Sequence, residues 1–424
     1  MLELGTRLVA LGLSHAASGM PRGRGGSRRL QRCHPRPLCT GNDGVDLRYD
    51  SEHVILRGSA EKFLAERYDY RTFQTIAGSE AGWSAGIWAE FARLGWLGLP
   101  FAPEEGGSGG GAVELAILME TFGQHLVVEP YLATVVLGGG LVAALGSAAE
   151  RQATLPAVIA GDCRLAFAHE DDGTPAQARR TQSGYVLQGA KKVVLGGAMA
   201  DTLLVSARVD DGGMGVFVVP RQTRGLVVRP YRMIDGSRAA AVDLTDVTVP
   251  ASALLGGNAD AARVVAAIID RAIAALSADA VGAIAAMVRA TVDYSKTRVQ
   301  FGQPLAGFQA LQHRMVRIKI KEEEARAASL FATLSLDGPP EARARAVSGA
   351  KAKIGRCARV VHQEAIQLHG AIGTTDELPL GGYAKRLIAY EILFGSTREH
   401  LRRYGAIIAD PQVAAEGLLL APAD

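Results

Sequence analysis

The sequence predicts an α+β chain in three parts: a helical N-terminal domain over 46–160, a middle antiparallel β domain over 161–255 and a C-terminal four-helix bundle over 256–410. Three observations predict it. Apolar residues recur at three and four from Tyr49 to about Ile159, the period shortens to that of strands at about Arg164, and helical periodicity returns after Pro250 and lasts to about Ala409.

In the first part Val54, Leu56, Phe63 and Leu64, and then Trp83, Ile87, Trp88, Phe91 and Leu94, fall on helical faces. Gly95, Gly98 and Pro100 stop the second of these, and the run EEGGSGGG (104–111) leads to another helix at about Val113. A glycine run can cradle phosphate when a strand precedes it and a helix follows. Here a helix precedes, so the run reads as a flexible connection.

The middle part is built of short segments rich in β-branched residues, at 165–168, 185–195, 202–209, 215–219, 226–229 and 240–244, separated by Gly, Asp, Pro or Ser clusters. No crossover helices intervene, which disfavours a doubly wound parallel sheet. The last part has four long Ala/Arg-rich helical segments, about 260–296, 307–336, 341–369 and 382–409. They are broken by Gly302 with Pro304, by Gly338 with two prolines, and by the stretch 370–382.

Composition narrows the function. The net charge of +3 comes from seven arginines in residues 1–45, and the rest carries 39 basic against 41 acidic residues, so no basic face argues for nucleic acid. Four cysteines, two of them at 33 and 39, give no disulfide framework, and no Cys/His spacing suits a metal; a reducing, cytoplasmic setting is expected. No run of 18 apolar residues exists, so no membrane span is expected. The Arg-rich segment 1–45 reads three ways: sequence added by an upstream start, a transit peptide that would direct the chain to the mitochondrial matrix, or a secretion signal with a short apolar core. It and the tail, 411–424, are kept apart from the fold.

Three stretches of the last part, YSKTRVQFGQPLAGFQALQHRM (294–315), AIQLHGAIGTTDELPL (365–380) and YAKRLIAYEILFGSTREHLRRY (383–404), resemble signatures of the acyl-CoA dehydrogenase family. LGWLGLPFAPEEGGSGGG (94–111) and the helix, sheet, helix order are similar as well. GYVLQGAKKVVLGG, DGSRAAAVDL and RLIAYEILFG are most like bacterial small-subunit members of the pimeloyl-CoA dehydrogenase kind, which work in heteromeric complexes.

The resemblance implies FAD as cofactor, an acyl-CoA substrate, an electron-transfer flavoprotein as electron acceptor and a second acyl-CoA dehydrogenase subunit as partner. It puts Arg298, Gln300, Phe301, Phe308 and Gln309 against a flavin dinucleotide across a subunit boundary, an arginine offering a bidentate grip on pyrophosphate. Gln367, Gly370 and Ala371 would approach the adenine end. The family's usual second glycine is replaced at Ala371. Ser396, Thr397 and Arg398 would meet the flavin phosphates at a helix N-terminus, and Gly395 would face substrate.

The reaction that the resemblance implies removes a proton α to the thioester carbonyl while a hydride leaves the β carbon for the flavin. It needs a carboxylate in a dry site. At the family's glutamate position stands Phe394, which can present an N–H but cannot take a proton. The alternative position on the first bundle helix aligns with Ala272. Asp279, seven residues on, returns to nearly the same helical face, about 10 Å along the axis, whereas Asp270 points almost oppositely. Asp279 is therefore the candidate base, against the plainer reading of a buried helix-to-helix hydrogen bond, and Glu391 ranks below it. His169 stands where the family's flavin-facing threonine would be and Val193 near its tryptophan; a lone strand histidine also reads as structural. The expectation is an FAD-dependent acyl-CoA dehydrogenase subunit, with a catalytically incomplete partner subunit that supplies flavin contacts as the alternative.

Overall fold

The computed structural model of the chain describes residues 49–409, apart from 211, 258 and 259. The expectations for 1–45 and 411–424 lie outside the described residues.

The chain enters through α1 (Ser51–Arg67), α2 (Tyr70–Gly78) and α3 (Ala85–Arg93). Asp50, Asp69 and Ser84 close their first turns, each side chain accepting from the backbone N–H three residues on. The glycine run is a packed turn: a Cβ on Gly107 would lie 2.2 Å from the Phe101 carbonyl oxygen, so glycine there lets backbone meet backbone. After α4 (Ala112–His125), a π-helical segment, Leu132–Gly139, runs straight into α5 (Gly140–Leu145), and α6 (Ala148–Ala160) follows.

Seven strands form the middle sheet: β1 (Leu165–Ala168), β2 (Gln177–Arg180), β3 (Gly184–Leu195), β4 (Thr202–Val209), β5 (Met214–Pro220), β6 (Leu226–Arg232) and β7 (Arg238–Pro250). Their order is β1-β4-β2-β3-β7-β6, with β5 also on β4. The expected antiparallel sheet is in fact mixed, since β4 runs parallel to both β1 and β2. A parallel pair needs a long connection but not a helical one. Here the β2–β3 hairpin lies within the crossover from β1 to β4. Strand β2 escapes the sequence pattern because only Ala178 of its four residues is buried.

The last part contains α7 (Ala262–Thr297), the hairpin of β8 (Val299–Gln300) and β9 (Gln303–Pro304), α8 (Gln309–Leu334), α9 (Pro340–His369), α10 (Leu380–Ile392) and α11 (Thr397–Ala409). The fourth expected segment is thus two helices. The break falls where Phe394 and Gly395 take positive φ values of 55° and 100°, conformations an α-helix cannot continue through. One apolar core joins the N-terminal helices to the bundle, and a second fills the sheet.

Helix α7 sits centrally, against α4, α8, α9 and α10. Its crossing with α4 is tight. A Cβ on Gly123 would come 1.8 Å from the Asp279 carbonyl oxygen, and one on Gly282 would come 1.9 Å from that of Glu120. The α4 helix therefore packs on the backbone of the turn that carries Asp279.

Candidate active site

A cavity of about 70 Å³ lies where the segment after α4, the end of β3, the β6–β7 turn, α7 and α10 meet. Val127, Leu132, Leu195, Leu276 and Leu393 give it apolar walls, and Glu129, Asp235, Ser237 and Arg386 a polar one. Leu393 immediately precedes Phe394, so the cavity adjoins the segment where the sequence places the reaction.

Arg386 organises the polar wall. Its Nη2 donates to the Val127 carbonyl at 2.7 Å, its Nε lies 3.3 Å from Asp235 Oδ2, and its Nη1 lies 3.6 Å from Asp279 Oδ2. Asp235 also accepts from the Ser237 N–H and hydroxyl, at 3.1 and 2.7 Å. Asp279 is buried behind the guanidinium with Oδ1 unpartnered. Burial pushes its carboxyl up to about 6, Arg386 pulling the other way and Asp235 adding to the rise. Asp279 combines a raised carboxyl with the helix-to-helix pairing that was its plainer reading.

Glu129 is the group in the cavity wall that sequence reasoning missed. It is 6% exposed, and neither carboxyl oxygen makes a well-aligned hydrogen bond. Burial pushes it up to about 7, the neighbouring Tyr68 hydroxyl opposing. The signal was a lone acid before a proline in the otherwise apolar VVEPYL, while Arg386 and Asp235, from distant parts of the chain, carried no local signal.

At the start of α11 the expected phosphate donors are already engaged. The Thr397 N–H and hydroxyl donate to Glu391 at 3.0 and 2.7 Å, and the Ser396 N–H and hydroxyl donate to Glu399 at 2.6 and 2.7 Å. Glu391 is therefore a helix cap, and two carboxylates hold the position where an anion was expected. Arg398 remains exposed, in a surface groove with Arg356, Arg359 and Arg402. Phe394 is half-buried, its carbonyl accepting from His400 Nε2 at 2.8 Å. Gly395 is buried beside it.

The hairpin residues point outward. Arg298, Gln300, Phe301 and Gln309 are exposed, Phe301 at 93%, with Phe308 edge-on to its ring at 6.3 Å. Gln367, Gly370 and Ala371 are exposed at the end of α9. The two stretches are joined where Tyr294 stacks on His369 at 4.4 Å, so donors 70 residues apart in the chain occupy one end of the bundle. The side chains of Arg298, Gln309 and Gln367 make no hydrogen bond among the described residues.

Other sequence candidates are structural. His169 follows β1, its ring stacked on Phe167 and its Nδ1 2.9 Å from the Ser206 hydroxyl; burial and then Lys191 push it down to about 4. Ala272 is fully buried, and Asp270 pairs with Arg343 and Arg403 at 3.3 and 2.9 Å, tying α7 to α9 and α11. Among the described residues no acid and histidine cluster suits a metal, and no helix is long and apolar enough to cross a membrane.

Family models for acyl-CoA dehydrogenase match in three pieces: the N-terminal domain at 50–162, the middle domain at 168–247 and the C-terminal domain at 262–408. Acyl-CoA dehydrogenase FadE12 of Mycobacterium tuberculosis is 30% identical over 314 residues, 69% of this chain and 79% of that protein. A solved Tcur3481-Tcur3483 steroid ACAD variant superposes with a TM-score of 0.77 at 28% identity, over 85% of this chain and 99% of that one. The ChsE4-ChsE5 complex from Mycobacterium tuberculosis gives 0.81 at 24% identity, over 86% and 99%.

Proposed function

The chain belongs to the acyl-CoA dehydrogenase family, and we propose that it works as one subunit of a heteromeric FAD-dependent acyl-CoA dehydrogenase, lending flavin contacts to a partner chain that carries the catalytic base. Phe394 is the observation that carries this reading. An aromatic ring at the family's base position leaves the α proton of a thioester without an acceptor there, and Asp279, the substitute, has Arg386 as its ion-pair partner.

The donor set divides in a way that favours the same reading. FAD is the family's cofactor. In this chain's own phosphate position, Ser396 and Thr397 donate to Glu391 and Glu399, so these donors are already engaged, while Arg398 shares its groove with Arg356, Arg359 and Arg402. As they stand, the Ser396 and Thr397 hydroxyls are not offered to a phosphate. The outward set fits the dinucleotide: Arg298 offers a bidentate guanidinium, Gln309 and Gln367 offer amides, and Phe301 and Phe308 offer apolar faces to a group held mainly by a neighbour. Two-component relatives, the Tcur3481-Tcur3483 and ChsE4-ChsE5 proteins, support heteromeric assembly.

On this reading the partner's carboxylate takes the proton α to the carbonyl, and this chain orients the dinucleotide and closes the subunit boundary. Electrons leave to an electron-transfer flavoprotein. A second reading keeps the chemistry in this chain with Asp279 as the base, and the raised carboxyl of Asp279 favours it. Co-expression with a candidate partner separates the two: flavin in the complex, bleached by a saturated acyl-CoA, with activity surviving Asp279→Asn and lost when the partner's base is removed, is the expected result. Stoichiometric flavin and turnover in the chain alone would refute the partner reading.

A further inference from the structure

We propose that the cavity walled by Glu129, Asp235 and Arg386 is a binding site for the hydroxyl-bearing end of an acyl group. The ligand class rests on the acyl-CoA reading above; the cavity and its unpartnered carboxyl do not.

Glu129 points to a ligand because of what it lacks. Buried polar atoms in folded proteins are nearly always paired, and one left unpaired costs the full desolvation of the group. Here neither oxygen of a side chain that is 6% exposed makes a well-aligned hydrogen bond, although the Tyr68 hydroxyl and backbone groups of Ser84 and Val128 lie near, and the side chain is in the wall of a cavity. The main chain beside it is anchored, since the Val128 N–H donates to the Tyr68 hydroxyl at 3.2 Å. The carboxyl is thus held against the space rather than free to swing to solvent.

The neighbours decide which ligand fits. Three carboxyls, those of Glu129, Asp235 and Asp279, face the single guanidinium of Arg386. Arg238, also in the wall, spends its donors on the carbonyls of Gly236, Ala77 and Ser79. A carboxylate tail adds a fourth negative charge and is repelled. A plain alkyl end fills the apolar side but leaves both Glu129 oxygens unpaired. An ammonium has to be stripped of water on entering a mostly apolar space, at a cost of several kcal/mol. A hydroxyl donates to the carboxylate or accepts from the acid, so it serves Glu129 in either protonation state.

The space is adequate for such a group: a cavity of about 70 Å³ has room for several water-sized groups. It takes a hydroxymethyl or hydroxyethyl end. Its wall includes Leu393, next in the chain to Phe394 and Gly395, so a group lodged there lies beside that break.

The test is calorimetric titration of the co-expressed complex with butyryl-CoA and with 4-hydroxybutyryl-CoA, for the wild type, Glu129→Gln and Glu129→Leu, each checked by thermal melting. The expected result is binding of the hydroxy thioester at least about tenfold tighter than butyryl-CoA, a value in the range of one hydrogen bond to a charged group. The preference is kept in part by Glu129→Gln and abolished by Glu129→Leu, with Glu129→Ala taking its place if the leucine variant fails to fold. Equal affinities in the wild type, or a preference that persists without the carboxyl, overturn the inference and leave the acyl-CoA reading standing. Failure of both thioesters to bind overturns the acyl-CoA reading and the inference with it.

Discussion

Replacing Glu129 with glutamine should stabilise the chain at pH 8 relative to its effect at pH 5. Burial lifts this carboxyl from an ordinary 4.5 to about 7, so between those values the folded chain holds a proton that the unfolded chain has released. Stability then falls as pH rises, because the unfolded state binds fewer protons than the native one. The contribution is fully present below about pH 4.5 and lost once pH passes about 7. At 1.36 kcal/mol per unit the whole shift corresponds to about 3 kcal/mol, most of which is lost between pH 5 and pH 8. Glutamine has the same shape and no charge to bury. Urea unfolding of wild type and Glu129→Gln at both pH values should therefore show the variant gaining on the wild type by about 2–3 kcal/mol at pH 8 relative to pH 5. Asp279, also raised by burial, titrates in both proteins and cancels to first order. A difference that changes by less than about 0.5 kcal/mol across that range would refute the account of Glu129 as a buried carboxyl without a partner.

Arg298→Ala removes an exposed side chain with no bond inside the chain, so unfolding of the isolated chain should change by less than about 0.5 kcal/mol. Flavin affinity of the co-expressed complex, read by fluorescence titration, should fall by about tenfold or more. Phe394→Glu puts a carboxylate at the family's position, yet the chain alone should show no flavin bleaching by a saturated acyl-CoA, because Glu391 and Glu399 still hold the start of α11; turnover without a partner would contradict this. Gly123→Ala drives a methyl into the Asp279 carbonyl, and the α4–α7 crossing should loosen at a cost of about 2–3 kcal/mol in urea unfolding.

The helical parts were legible because a helix face is written in residues three and four apart, and the bounds of α7 and α9 follow that period closely. The sheet was legible strand by strand but not in its pairing. Whether β4 meets β1 parallel depends on where the β2–β3 hairpin goes, and β2 itself, with three of four residues exposed, has no apolar pattern to read. The break at Phe394 was hidden from the periodicity, although the resemblance, by setting a helix N-terminus at Ser396, implied it. The residues on either side continue a helical pattern, and a positive φ at a phenylalanine is uncommon enough that no propensity rule anticipates it.

The site shows the same limit more sharply. A motif records residue types at fixed spacing, and Ser396-Thr397-Arg398 has the hydroxyls and the cation that a helix N-terminus offers to phosphate. Whether those hydroxyls are available depends on what else reaches them, and Glu391 reaches forward across the break from α10 to Thr397 while Glu399 reaches back to Ser396 from the first turn of α11. The converse holds at Glu129, where the residue type carried no motif and its meaning comes from the absence of a partner after folding has brought Arg386 and Asp235 alongside. A departure from a family pattern is therefore best weighed with its surroundings. Phe394 alone leaves open that another acid does the work. Phe394 with Asp279 set against Arg386 and the α11 hydroxyls engaged by carboxylates is what supports the proposal that the base belongs to a neighbouring chain.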